Sequence, residues 1–121
     1  MVGVDQMRVL VCGGRDYQDY ERVIAALDAL HKKHGVTLVI EGGANGADAH
    51  GGIWAENNGI PRCTMFANWN KFGNKAGPIR NQAMIEHLNP DCVVAFPGGA
   101  GTRDMVARAK SSGLKVWEVA K

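Results

Sequence analysis

Apolar residues follow two alternating patterns along this chain. Short valine-rich runs with little polar alternation are separated by longer stretches in which apolar side chains recur every three or four positions. Met7–Cys12 (MRVLVC) runs into Gly13-Gly14 and predicts a first strand. Further strands are predicted over 36–40 (VTLVI), a short 62–66, 91–96 (DCVVAF) and 114–119. Tyr20–His34 carries Val23, Ile24, Leu27 and Leu30 at helical spacing and predicts a first helix, with Gly35 as its left-handed stop. A second helix is expected over about 46–58, closed by Gly59. A third is expected over 78–88, where Pro78 is tolerated in the first turn, and a fourth over about 101–112, stopped by Gly113. The polar stretch 67–77, with Trp69, Phe72 and Gly73, reads as an irregular loop. Valine-rich strands alternating with helices indicate a parallel sheet covered on both faces. With right-handed crossovers, this is an α/β, Rossmann-like doubly wound sheet of about five strands, a single domain over 1–121.

Composition changes this picture in one respect. The 121 residues include 16 glycines, nearly twice the ~7% of average usage, and glycine costs conformational entropy unless geometry demands it. The glycines have no period of three, and only 4 prolines accompany them, so collagen is excluded; 45% hydrophobic residues exclude a disordered linker. Fourteen basic against 12 acidic residues leave a net charge of +2, with the basic residues scattered, which weighs against a nucleic-acid track. Cys12, Cys63 and Cys92 lie in or beside apolar runs without metal-ligand spacing and read as buried free thiols of a cytoplasmic protein. No leader, membrane span, structural metal or cofactor is expected.

In open parallel sheets, ligands bind beyond the carboxyl ends of the strands, where the strand order reverses. Glycine-rich turns follow three strands here: 13–16 (GGRD), 42–48 (GGANGAD) and 97–102 (PGGAGT). Each brings backbone N–H groups and a helix start to the same edge, a seat suited to phosphate. Tight strand-to-helix packing would also call for glycine at any one of them. Neither a P-loop string nor G-x-G-x-x-G after the first strand is present, which disfavours an NTPase of that kind and a standard dehydrogenase.

Four ordered motifs, GGRDY at 13–17, EGGANGAD at 41–48, AGPIRNQAM at 76–84 and FPGGAGTRDM at 96–105, resemble the SLOG superfamily, and within it the small YspA-type branch of bacterial and phage proteins. That superfamily also includes DprA/Smf DNA-processing proteins and LOG phosphoribohydrolases. The resemblance implies a Rossmann-like fold and a pocket for a nucleotide or a nucleotide-derived signal, such as ADP-ribose-type or cyclic nucleotides. LOG enzymes carry PGGxGTxxE with a catalytic glutamate; the corresponding position here is Met105. Asp104 lies one residue earlier, rotated by about 100° on a helix. An arginine common in the GGAxGAD loop of the YspA branch is replaced by Asn45.

Arg80 is the expected phosphate clamp through its planar donor fork, with Arg15 beside the first glycines as a second candidate. Gly13, Gly14, Gly42, Gly43, Gly46, Pro97, Gly98, Gly99 and Gly101 supply the rim. Asp48 accepts a ribose hydroxyl or caps the second helix, Asn81 bonds ligand or loop, and Thr102 caps the fourth helix or donates to phosphate. Tyr17 and Trp69 suit base stacking, and Trp69 equally a lid or a dimer contact; Trp54 and Trp117 read as core or interface. Asp104 and His50 are the catalytic candidates. The leading reading is a binding module that senses or sequesters a nucleotide-type small molecule. The alternatives are a nucleoside-monophosphate phosphoribohydrolase and single-stranded DNA binding in the manner of DprA. A homo-oligomer is expected. Gly3, Gly51, Gly52 and Gly73 are left without a role.

Overall fold

The computed structural model describes residues 6–120, so Gly3 and the outermost ends of the 1–121 domain lie outside the described residues. Five parallel strands, β1 (Met7–Cys12), β2 (Val36–Glu41), β3 (Arg62–Thr64), β4 (Cys92–Ala95) and β5 (Lys115–Glu118), form one sheet in the order β3-β2-β1-β4-β5. This is the Rossmann-like doubly wound arrangement, with its reversal between β1 and β4. Helices α1 (Tyr20–His34) and α2 (Ala47–Asn57) cover one face. The other is covered by α4 (Ala76–Leu88) and α5 (Ala100–Ser111); a four-residue α3 (Trp69–Phe72) precedes α4.

Alternation along the strands explains the two layers. Val9, Val11, Val39, Cys92 and Val94 face α1 and α2, whereas Leu10, Cys12, Ile40, Val93 and Ala95 face α4 and α5. The sequence shows no polar alternation because both faces are buried. Helix α1 begins where the Asp19 side chain accepts the Arg22 N–H at 3.2 Å, and ends with a basic last turn that suits the helix dipole. Gly35, Gly59 and Gly113 take the left-handed conformation expected of helix stops, at φ 80°, 66° and 79°. The Trp54 indole N–H donates to Asp28 at 2.8 Å, tying α2 to α1 across the core.

The structure departs from the sequence reading in several places. The stretch read as irregular holds α3 and a 3-10 turn over Gly73–Lys75, and α4 starts at Ala76, two residues earlier than expected. Pro78 is therefore its third residue, where the backbone N–H has no helical partner to lose. Arg80 accordingly sits in the second turn. The third strand ends at Thr64, because Phe66 leaves the sheet and its ring lies over Gly43. Cys63 is only half-buried, since β3 is an edge strand. Gly51 and Gly52 acquire roles in packing: Gly51 lets α2 lie directly on Val11 of β1, and Gly52 leaves room for the Arg62 guanidinium. Among the described residues, no helix is long and apolar enough to cross a membrane.

A Cβ at Gly51 would meet Val11 Cγ1 at 2.9 Å, inside a packed helix–sheet contact. Gly51→Val is therefore expected to destabilise by about 1–3 kcal/mol. At Gly101, in the first turn of α5, a Cβ meets nothing within 4 Å, so Gly101→Ala should stabilise by about 0.5–1 kcal/mol. Thermal melts check the pair, and shifts of the same sign would contradict this packing.

Candidate functional site

At the β1/β4 reversal, the turn after β1 is bonded on both sides. Gly14 donates its N–H to the Pro97 carbonyl at 2.9 Å, and its own carbonyl accepts the Ala47 N–H at 3.2 Å. One residue thus joins the loop after β4 to the first residue of α2. The packing leaves no space for side chains: Gly46 adopts φ 73° with its α-carbon against the Gly14 carbonyl, and Gly98 lies against the Thr102 hydroxyl and the Gly13-Gly14 backbone. Helices α2 and α5 therefore start side by side behind glycine N-caps, and neither start receives a side-chain hydrogen bond. Their first N–H groups carry the partial positive charge of the helix ends.

These elements enclose a cavity of about 320 Å³. Of the residues singled out from sequence, Gly13, Gly14, Arg15, Asp48, Trp69, Arg80, Asn81, Gly99, Gly101 and Thr102 line it, joined by Ala44 and Gly77. Arg80 reaches out of α4 beneath the β2–α2 loop. Its Nη1 donates to the Gly42 carbonyl at 2.8 Å and the Met65 carbonyl at 3.3 Å, and its Nε donates to Asn81 Oδ1 at 3.0 Å. Nη2 has no hydrogen-bond partner among the described residues. Burial holds the Arg80 pKa below its ordinary range, and the nearby charge of Arg15 acts in the same direction. Arg15 makes no hydrogen bond or ion pair among the described residues; its guanidinium lies 5.9 Å from the centre of the Trp69 ring.

Asp48 neither caps α2 nor reaches outward. One of its oxygens accepts the N–H groups of Gly42 at 3.0 Å and Ala44 at 3.3 Å, shaping the loop from inside. Burial pushes its pKa up to about 6, and Glu41 adds to the rise, against the lowering effect of the loop N–H groups and Arg80. Glu41, at the end of β2, was not singled out from sequence. Wholly buried, it accepts from Gly43 N–H at 2.6 Å, Arg62 Nη2 at 3.1 Å and the Thr64 hydroxyl. An acid just before a glycine loop at the end of a strand was the available signal. Its partners Arg62 and Thr64, on a different strand, were not visible as such.

The other candidates stand outside this lining. Asp104 turns toward α4, accepting from Asn81 Nδ2 at 3.0 Å and Arg108 Nε at 2.8 Å. Burial alone would raise its pKa, but those two bonds outweigh it and hold the carboxyl below the usual range. Asn81 also donates to the Gly101 carbonyl at 3.3 Å, so it braces α4 against the start of α5. Met105 is in the core among Leu10, Met84 and Val93. His50 packs on Tyr20 in a separate groove of about 540 Å³ between α1 and α2, where Ile24 and Ile53 are exposed. Tyr17 folds inward onto Phe96, with ring centres 5.5 Å apart. Asn45, Gly43 and Gly98 are exposed, and together with Gly42, Gly46 and Pro97 they belong to the same loops without lining the cavity. The N-cap of α5 is Gly99, so Thr102 lies in the first turn with its hydroxyl over Gly98 and does not cap the helix. Cys12 lies beneath the loops with its thiol pushed up to about 12 by burial, so it stays protonated and unreactive. Among the described residues, no three His, Cys, Asp or Glu side chains are grouped as a metal site.

The family described as YspA, cpYpsA-related SLOG family (YAcAr) matches residues 7–72, which span β1 to α3 and one half of the cavity lining. Gene 61 protein of Mycobacterium phage D29 is 36% identical over 117 residues, covering 90% of this chain and 93% of its own length. No solved structure matches the chain.

Because the folded protein raises the Asp48 pKa from an ordinary 3.8 to about 6, the native state binds that proton more tightly than the unfolded chain does. The stability so gained is fully present below about pH 4, is lost as pH rises through about 6 and stays lost above it. A shift of this size corresponds to about 3 kcal/mol. Asp48→Asn lacks this dependence, so the stability of the wild type relative to the variant should fall between pH 4 and 6 and level off near pH 7. A difference that does not vary with pH would refute the assignment.

Proposed function

The chain belongs to the YspA, cpYpsA-related SLOG family, and on that premise we propose that its glycine-lined cavity binds a nucleotide or nucleotide-derived signal, with the phosphate lodged at the start of α5. The observation that carries this reading is the excess of unengaged positive groups on one cavity. Arg15 has no ion-pair partner among the described residues, Arg80 keeps Nη2 unbonded, and two helix starts lack side-chain caps. Asp48 is the one carboxylate among the lining residues, and its charge is already shared with loop N–H groups. Two guanidinium groups and two helix dipoles directed at one space make an anion site.

At about 320 Å³, the cavity is at the small end of the ~300–1,000 Å³ typical of ligand sites, the size for one nucleotide unit. A dinucleotide held in the usual Rossmann manner needs a free acid at the end of β2 for the ribose. Glu41 occupies that place, but its oxygens are committed to Arg62, Thr64 and Gly43. In a cytoplasmic setting, sensing or sequestering a nucleotide signal fits a site of this kind.

A second reading, cleavage of the nucleotide's glycosidic bond, is favoured by one observation: Asp48 is a buried carboxyl on the cavity wall with its pKa raised to about 6, suited to protonating a leaving base. Asp104 and His50, the catalytic candidates from sequence, do not line the cavity.

Titration calorimetry of the full chain with AMP, GMP and ADP-ribose tests the binding reading. Heat of binding that weakens with added salt is expected, as is a loss of affinity of about tenfold or more in Arg15→Glu. No heat with any of the three would end this reading. Chromatography of the same mixtures separates the second one. Released base, lost in Asp48→Asn and declining as pH rises through about 6, would make the protein a hydrolase.

A further inference from the structure

We infer that Trp69 is the platform on which the ligand's base stacks and that Arg15 is the group the base displaces, so the site selects nucleoside phosphates over bare sugar phosphates. This deepens the nucleotide reading above and rests on it. Trp69 and Arg15 come from distant parts of the chain, one on α3 and the other in the turn after β1, yet they line the same cavity and touch each other. Both are exposed, so their contact lies on the solvent side of the cavity, away from the buried Asp48 and Asn81.

The indole is a large apolar ring that remains 48% exposed, and it is nonetheless held in place. A Cβ at Gly77 would come within 3.3 Å of its Cη2, so one edge of the ring rests on the backbone at the start of α4. The short helix that carries Trp69 is fixed by the Asn68 side chain, which accepts the Lys71 N–H at 3.1 Å. Phe66 is more exposed, at 72%, but its ring covers Gly43 and does not line the cavity. Trp69 is the only aromatic residue among the lining residues.

A ring face at a phosphate-binding cavity is a stacking surface for a planar base, and such stacking tolerates any base while favouring those of larger area. The guanidinium of Arg15 lies 5.9 Å from the centre of that ring, a weak exposed contact. A base that takes this place keeps the indole covered and frees a planar donor fork to reach the ligand's own phosphate. Arg15 thereby exchanges an aromatic partner for an anionic one, whereas a sugar phosphate that draws Arg15 away leaves the indole uncovered and so gains less from the exchange.

The experiment compares AMP, UMP and ribose 5-phosphate on wild type, Trp69→Ala and Trp69→Phe, by calorimetry and tryptophan fluorescence. Wild type should bind AMP more tightly than UMP and UMP more tightly than ribose 5-phosphate. Trp69→Ala should weaken AMP by about five- to a hundredfold while changing ribose 5-phosphate less than about twofold. Unchanged sugar-phosphate binding also shows that the variant is folded. Trp69→Phe should retain most of the AMP affinity but lose the quenching that AMP causes in wild type, since Trp54 and Trp117 lie elsewhere. Ribose 5-phosphate bound as tightly as AMP, or equal losses for both in Trp69→Ala, would overturn the stacking role and leave the phosphate site standing. A wild type that binds none of the three ligands would overturn the nucleotide reading and this inference with it.

Discussion

Gly14 is bonded to the loop after β4 through its N–H and to the first residue of α2 through its carbonyl. Most of the site depends on this double attachment. It sets two helix starts next to each other at the strand-order reversal, and close packing at Gly46 and Gly98 keeps side chains from pushing them apart. A capping side chain is excluded at Gly46, the N-cap of α2, and none is present at Gly99, the N-cap of α5. The donors that a cap would satisfy are therefore available to a ligand.

The charges around the cavity form a graded series. Glu41 is deepest and fully engaged with Arg62 and Thr64, so it acts as a fixed part of the sheet edge. Asp48 comes next, desolvated enough that its ionisation is costly. Arg80 spends three of its donor contacts on the surrounding loops and on Asn81, and Arg15, outermost, is held only by an aromatic ring. Rigidity decreases and the availability of positive charge increases from the core outward, which orders the groups by how freely each can respond to an incoming anion.

Much of this was legible in the chain itself. Valine runs that end in glycine pairs identified the strands and their common edge, and Gly35, Gly59 and Gly113 marked the helix stops because each needs a conformation that few other residues accept. Motif by motif, the sequence also located most of the cavity lining. What it did not reveal were contacts between elements far apart in sequence. Gly51 and Gly52 make sense only against Val11 and Arg62, and Glu41 only against Arg62 and Thr64. The direction of Asp104 was equally hidden, because helical spacing gives an angle about an axis and not the neighbouring helix to which the side chain bonds. Residues 67–77 looked irregular because glycine and asparagine interrupt the periodicity, although the Asn68 cap is enough to wind one turn.

The cavity wall draws on both ends of the chain. Arg15 belongs to the first turn after β1, whereas Gly99, Gly101 and Thr102 come from the last helix. During synthesis, the lining residues up to Trp69 would emerge before Gly77 to Thr102. No fragment that lacks α5 contains the whole lining, so the complete cavity exists only after α5 has been made and has packed on the sheet. A ligand held by both groups of residues would act as a clasp between early and late segments of the chain.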